Sequence, residues 1–219
     1  MDADKFFRGA VNHLNRGRTL LGKGKSDPAY LFYSALELRF GIESRLREYL
    51  EHQKHVTEKK KQGWQIAALG RNVEEAFAGC TEEVRVTLFS GGYPLMLCKY
   101  TPVTPELRSV GERLGNYLHA PKSDDLVELE QWCDFESLLE KGFANLAYAC
   151  SGNLLGVPLV APGSKRIDFN MSICEDQRAI IGEIYKRGGE ILLEFSYVPP
   201  AGEAPVGGAS IRANLLKTE

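Results

Sequence analysis

The sequence predicts an α+β protein that is mostly helical, in which an antiparallel helical bundle is followed by a small strand–helix–strand unit. Apolar residues from Ala29 to beyond Leu50 recur at helical intervals, as in a long helix at the centre of a bundle. Between residues 83 and 100 the period changes to an alternation of polar and apolar residues. After Ser151, strand-like and helix-like patterns follow each other. These three observations together predict the fold class.

Three helices are predicted before the change of period, over about 4–22, 29–50 and 61–78. The second has a broad apolar face and is therefore expected to lie in the middle of the bundle.

Charged residues interrupt the second helix at regular intervals. Arg39 and Glu43, and likewise Glu43 and Arg47, are four residues apart, which is the spacing of intrahelical ion pairs. Glu43 also borders the buried face, where an unpaired charge is costly. It therefore needs a cationic partner, and Arg113 from another helix is one candidate.

The middle of the chain contains a change of structure and a well-marked helix start. The segments 83–89 and 93–100 predict either an inserted β-hairpin or a loop between helices. Thr104 and Pro105 combine an N-cap residue with a proline in the first turn, so a helix is expected to begin there. Pro121 is expected to end it, because the residue before a proline disfavours the α conformation.

The remaining elements are predicted as a helix, a strand, a helix and a strand, over about 123–150, 166–174, 175–186 and 190–198, with a loose tail from Pro199.

The composition changes near residue 151, which predicts two domains. Residues 1–150 would form the helical bundle, and 151–219 a small α/β appendage. The apolar strand residues of the appendage suggest that it packs against the bundle or binds a protein partner.

Composition and cysteine usage favour a cytoplasmic protein. No apolar run is long enough to span a membrane, so no membrane association is expected, and the N-terminus does not resemble a secretory signal. The five cysteines are widely spread without a Cys-x-x-Cys pair, so neither a zinc site nor a disulfide framework is predicted. They are expected to be reduced, mostly buried thiols, and we expect no metal and no cofactor.

Charge is distributed unevenly although the net charge is only −2. Residues 5–61 contain 13 Lys/Arg against 6 Asp/Glu, whereas 124–140 contain seven acidic residues and no basic one. Such asymmetry allows a basic face for a polyanion such as RNA, although the basic residues are equally consistent with a solvated surface.

The segment 112–121 contains the most informative group of polar residues. Glu112, Asn116 and His119 are spaced to share one helix face, and Arg113 flanks that face. A cation beside an imidazole could perform acid/base chemistry on a phosphodiester. The alternative is an ordinary helix end with a capping histidine.

Two segments resemble HEPN domains, named for higher eukaryotes and prokaryotes nucleotide-binding. Residues 34–46 resemble the first long helix of these domains, and Arg113 followed after five residues by His119 fits their signature of arginine, four to six residues, then histidine. The resemblance covers about residues 5–150. A polar residue commonly follows the arginine in this family, whereas Leu114 follows it here and Asn116 comes three residues after it.

The resemblance implies a metal-independent ribonuclease of toxin–antitoxin or phage-defence systems that acts as a dimer. Arg113 would bind the scissile phosphate, and His119 would be the acid/base group. Asn116 would donate a hydrogen bond to a phosphate or base, and Glu43 would orient Arg113. Because several HEPN-like domains are non-catalytic, the resemblance is also consistent with a silent module that binds a nucleotide, RNA or a protein. A structural protein, with Arg113 buried against Glu43, is the third alternative.

The other histidines are expected to play ordinary roles. His13 lies in a basic stretch that could contact RNA phosphates, but a solvated helix end is the simpler expectation. His52 and His55 are three residues apart with no third metal ligand evident, so they are expected at the exposed end of a helix.

Overall fold

The protein is an α+β protein with mostly helical structure, as the sequence predicts. Its computed structural model describes residues 7–119, 129–160, 167–168, 170–187, 190–200 and 210–215. The helices are α1 (Ala10–Leu21), α2 (Ala29–Glu51), α3 (Glu58–Lys61), α4 (Ile66–Ala76), α5 (Pro105–Leu118), α6 (Leu129–Ala149) and α7 (Glu175–Lys186). The strands are β1 (Glu83–Ser90), β2 (Tyr93–Tyr100), β3 (Leu159–Val160), β4 (Ile167–Asp168), β5 (Ile191–Val198) and β6 (Ser210–Leu215).

The chain forms two compact units, each built from two separate segments. The helical unit comprises residues 1–76 and 103–150, and the sheet unit comprises 77–102 and 151–219. These units differ from the two continuous domains expected from the sequence, because β1 and β2 belong with the C-terminal segment.

Helix α2 is the central element of the helical unit, and it packs against α1, α4, α5 and α6. Its apolar face is almost completely buried, including Leu38, Ile42 and Leu46. Close approach of α1 and α6 depends on Gly17 of α1, since a Cβ atom there would lie only 2.3 Å from Cζ of Phe143 on α6. The broad apolar face predicted for this helix is confirmed, and it holds the bundle together.

The sheet unit contains an antiparallel four-stranded sheet in the order β2-β1-β5-β6. Strands β1 and β2 form a β-hairpin, which decides between the two structures expected for this segment. Strand β1 also pairs with β5, with Val86 opposite Phe195 and Leu88 opposite Leu193. These four side chains are buried, so they form the core on one face of the sheet.

Several predicted element bounds are corrected by the structure. The first helix begins at Ala10, and the predicted helix over 61–78 is two helices, α3 and α4. Of the strand predicted over 166–174, the described residues contain β4 and a single bridge from Met171 to Leu154, and the tail expected to be loose contains β6, which pairs with β5. Pro121 and the predicted helix start at 123–124 lie outside the described residues.

Candidate active site

Helix α5 begins at Pro105, as predicted, and its last residue, Leu118, lies close to Pro121, where the sequence predicted the end of the helix. Thr104 is the N-cap, and its hydroxyl accepts a hydrogen bond from the backbone N–H of Leu107 at 3.2 Å. The last helical residue is Leu118, so His119 is the C-cap, with an extended backbone, and does not lie in the last turn. Its N–H still donates to the carbonyl of Gly115 at 3.1 Å. The imidazole is thus attached where the helix stops.

The predicted polar residues Arg113, Asn116 and His119 are all exposed. Arg113 forms no ion pair or side-chain hydrogen bond with the rest of the chain that the structure describes. At 3.6 residues per turn, Arg113 and His119 project about 120° apart around the helix axis, with Asn116 between them. A single chain therefore presents these groups on one exposed side of α5 but does not bring them to one point.

Arg39 of α2 and His119 both lie near Gly115 of α5, an arrangement that the sequence did not reveal. A Cβ atom built on Gly115 would lie 3.7 Å from Nη1 of Arg39 and 3.9 Å from Cδ2 of His119. Nη1 of Arg39 also donates a long hydrogen bond, of 3.4 Å, to the carbonyl of Gly111. Because Gly111 and Gly115 are one turn apart and have no side chains, the guanidinium can rest against α5. The imidazole of His119 lies near the same Gly115.

Glu43 pairs with Arg39, as their spacing along α2 predicts, and it forms no ion pair with Arg113, the candidate partner from another helix. Nε of Arg39 donates to Oε1 of Glu43 at 3.2 Å, and Glu43 is only 8% exposed. Burial raises the pKa of the Glu43 carboxyl, although the charges of Arg39 and Arg47 oppose this shift. Arg47 donates to the carbonyl of Gly63 at 3.0 Å and forms no ion pair with Glu43. The carboxylate therefore positions Arg39, and among the described residues Arg113 has no ion-pair partner.

His13 of α1 is buried in a charged cluster, contrary to the solvated helix end expected for it. It is 3% exposed, and its Nδ1 lies 2.7 Å from Oε2 of Glu37 on α2. Arg16 donates to the same carboxylate, through Nε at 3.1 Å and through Nη2 at 3.0 Å. Burial opposes ionisation of Glu37, but the hydrogen bonds from Arg16 and His13 bring its pKa below the usual value. Glu37 is thus an ionised partner that fixes the imidazole.

The sequence did contain a signal for the burial of His13. Together with Ala10, Leu14 and Gly17 it occupies positions i, i+3, i+4 and i+7, which is the spacing of a buried helix face. The basic residues between these positions obscured the pattern. A histidine on such a face needs a buried partner, which Glu37 supplies.

The remaining histidines have backbone partners. His52 follows the end of α2, where its Nδ1 lies 2.8 Å from the carbonyl oxygen of Glu48, and His55 Nε2 lies 3.1 Å from the carbonyl oxygen of Ala76. Within the described ranges, no three His, Cys, Asp or Glu side chains are grouped so that they could hold a metal ion.

The cysteine prediction is only partly right. Among the five cysteines, all free thiols, Cys98 is buried, Cys80 and Cys150 are partly buried, and Cys133 and Cys174 are exposed.

Comparisons of this chain with protein families, curated proteins and solved structures found no match. In the part of the chain that the structure describes, no helix has both the length and the apolar character needed to cross a membrane. The fold and the site together define an α+β protein with a helical unit that carries an exposed Arg/Asn/His group on α5, backed by an Arg–Glu pair on α2.

Proposed function

We propose that the protein is a metal-independent endoribonuclease of the HEPN type, with Arg113 and His119 as its central residues. It would act as a homodimer on RNA, in a bacterial toxin–antitoxin or phage-defence system. The resemblance of residues 34–46 and of the Arg113/His119 spacing to that family motivates the proposal.

The observation that carries the proposal is the arrangement of charges around His119. The imidazole is exposed and lies near Gly115, as does the guanidinium of Arg39, which is held by the buried carboxylate of Glu43. Arg113 is exposed and has no partner among the described residues. A surface cation without a partner among the described residues, together with a supported guanidinium near the same end of α5 as the imidazole, suits a phosphodiester substrate. A structural role would instead have needed Arg113 buried against Glu43.

In the proposed reaction, His119 accepts the proton of a ribose 2′-hydroxyl as the oxygen attacks the adjacent phosphorus. The P–O5′ bond breaks, a cyclic 2′,3′-phosphate forms, and the departing 5′-oxygen takes up the proton that His119 had accepted, which regenerates the neutral imidazole. Arg113 and Arg39 stabilise the additional negative charge on the phosphoryl oxygens. Asn116 donates a hydrogen bond to the phosphate or a base.

A second copy of the chain completes this site in the proposal. Arg113 and His119 project about 120° apart on one helix, so one chain cannot direct both at the same phosphorus. Two α5 helices facing each other would place Arg113 of one copy opposite His119 of the other. Sedimentation equilibrium of the full chain should then show a dimer, and a strict monomer at assay concentration would contradict this part of the proposal.

The test is cleavage of a synthetic RNA in the presence of EDTA by the wild type, Arg113→Ala and His119→Ala. Loss of an acid/base histidine should lower the rate by about 10²–10⁴-fold. Loss of Arg113 should also lower it, because the phosphoryl charge then lacks a partner. Circular dichroism should show an unchanged fold, since both side chains are exposed.

Matched controls exist on other surfaces of the helical unit. Arg71→Ala and His55→Ala remove an exposed arginine and an exposed histidine that lie outside α5. Both should cleave like the wild type. Equal cleavage by Arg113→Ala, His119→Ala and these controls would reject the proposed active site.

The second candidate function is RNA binding without catalysis, and the divergence of Arg113 and His119 within one chain favours it. In that case the wild type would bind RNA without cleaving it. Arg113→Ala would weaken binding and reduce its dependence on salt, because one phosphate contact would be lost.

A further inference from the structure

A polar cleft of about 460 Å³ lies between the start of α1 and the outer side of α2. His13, Arg8, Phe40, Ser44 and Arg47 are among the residues that line it. This volume is within the range of small-molecule sites. The α5 residues proposed for RNA cleavage do not line it.

The imidazole of His13 is the buried polar group of this cleft, and one of its nitrogens is available. Nδ1 is engaged by Glu37 at 2.7 Å, with Arg16 Nη2 2.9 Å away. Within the described residues, Nε2 has no hydrogen-bond partner, although the ring is 3% exposed. The imidazolium form would keep its bond to Glu37 and could donate from Nε2 to a ligand.

The carboxylates of the cleft are mostly neutralised by bonds inside the protein. Glu43 pairs with Arg39. Glu48 accepts from Arg45 Nη1 at 2.9 Å through one oxygen and from the backbone N–H of Ala10 at 2.9 Å through the other. These bonds leave little uncompensated negative charge on the walls.

Two arginines of the cleft, in contrast, form no ion pair at contact distance in the described part of the chain, although the charge of Arg47 acts on the Glu43 carboxyl. Arg8 makes no side-chain hydrogen bond there, while the hydroxyl of Ser44 donates to its backbone carbonyl at 3.1 Å and fixes its position. Arg47 donates only to the carbonyl of Gly63, a neutral group. Glu51, at the exposed rim, is the remaining unpaired acid. The uncompensated charge is therefore mainly positive.

We propose that this cleft binds the phosphate group of a ligand through Nε2 of His13 and the guanidinium groups of Arg8 and Arg47. Charge-assisted bonds from arginine are well suited to phosphate. Phe40, whose ring centroid is 5.8 Å from that of His13 and whose side chain is 37% exposed, provides an apolar wall for the organic part. The phosphate could belong to a small phosphomonoester or to the backbone of RNA.

The probe for this site is phenyl phosphate, with inorganic phosphate for comparison. The chain has four histidines, so the imidazole signals of ¹⁵N-histidine-labelled full-length protein can be assigned with single His→Gln variants. Phenyl phosphate should shift the His13 signals saturably. It should bind several-fold more tightly than inorganic phosphate, because its ring can pack against Phe40.

Surface variants test the charges without disturbing the buried histidine. Arg8→Ala should weaken binding of phenyl phosphate about tenfold or more, because a charge-assisted hydrogen bond is lost. Glu51→Gln, which removes a rim carboxylate, should leave binding unchanged or strengthen it. Arg71→Ala, which removes an arginine far along the chain on α4, should have no effect.

The outcomes separate the two sources of phosphate and can reject the site. Competition between a short non-cleavable RNA and phenyl phosphate for the His13 signals would identify the RNA backbone as the source. A shift with phenyl phosphate alone would identify a small phosphomonoester. A shift confined to His119, equal binding by Arg8→Ala and the wild type, or no saturable shift of His13 would overturn the proposal. RNA cleavage could be present or absent in each case, so the two proposals are tested independently.

Discussion

Replacement of Glu37 by glutamine should destabilise the helical unit, and the loss should depend on pH. The carboxylate accepts hydrogen bonds from Nδ1 of His13 at 2.7 Å and from Nε and Nη2 of Arg16 at 3.1 and 3.0 Å. Glutamine has nearly the same shape, but it has no charge and only one acceptor oxygen. At least one bond is therefore lost: the bond from Arg16 Nε if the amide nitrogen takes the Oε1 position, or those from His13 Nδ1 and Arg16 Nη2 if it takes the Oε2 position.

The expected cost of Glu37→Gln is about 1–3 kcal/mol near neutral pH. A hydrogen bond to a charged group contributes about 1.5–3 kcal/mol when its partner is buried. The His13 bond is of this kind, since the ring is 3% exposed. The pair with Arg16 adds less, because the Arg16 side chain is 28% exposed and water screens it.

The pH dependence follows from the direction of the Glu37 shift. Its pKa in the folded state is lowered below the ordinary value of 4.5. Its charge therefore stabilises the fold above that pH, and the stabilisation is lost as the pH falls through the folded-state pKa. The difference in unfolding free energy between the wild type and Glu37→Gln should be largest near pH 7 and should shrink below about pH 4.5.

Glu43→Gln, on the same helix, is the matched control, because the pKa of Glu43 is shifted in the opposite direction to that of Glu37. Burial raises the pKa of Glu43, so its charge costs stability as the pH rises from 4.5 through the folded-state pKa. Glu43→Gln should therefore cost less than Glu37→Gln near pH 7, and its relative stability should improve with rising pH.

Urea unfolding followed by far-UV circular dichroism at several pH values measures the stability of both variants. An equal loss for Glu37→Gln at pH 7 and at about pH 4 would refute the reasoning. A larger loss of unfolding free energy for Glu43→Gln than for Glu37→Gln near pH 7 would also refute it.

Two further predictions concern packing and thiol chemistry. Gly17→Ala should destabilise the helical unit by up to about 2 kcal/mol in urea unfolding, because overpacking against Phe143 outweighs the better helix propensity of alanine. Gly115→Ala, whose Cβ would meet its nearest atom at 3.7 Å, should leave the unfolding free energy unchanged or raise it. Equal changes in unfolding free energy for the two variants would contradict this account. Burial raises the pKa of the Cys150 thiol to about 11. Iodoacetamide should therefore label exposed Cys133 in the native protein and Cys150 only after unfolding, as peptide mass spectrometry can show. Equally fast labelling of both thiols in the native protein would contradict this prediction.

Sequence patterns predicted the helices well because their signals are local. The spacing of apolar residues in α2 and the Thr104–Pro105 start of α5 depend on residues within one or two turns. The same locality explains why the Arg39–Glu43 ion pair, four residues apart, was predicted and is found at 3.2 Å.

The division into units could not be read from local patterns. Strand β5 follows β1 by about a hundred residues, yet the two strands pair along their length. Such pairing depends on which chain segments meet, and alternation within each strand does not specify its partner. Strand β6 was missed for the same reason, since its partner β5 is what makes it a strand.

The sequence by itself determined that Arg113 and Asn116 lie in the C-terminal half of one helix and that His119 comes close to its end, since helical spacing and the following proline fix that arrangement. Only the tertiary structure decided their neighbours. It brought Arg39 to the same end of α5, paired Glu43 with Arg39, and buried His13 against Glu37. The reason is physical: a buried charge takes the partner that packing brings within hydrogen-bond distance, and packing depends on residues far apart in the chain.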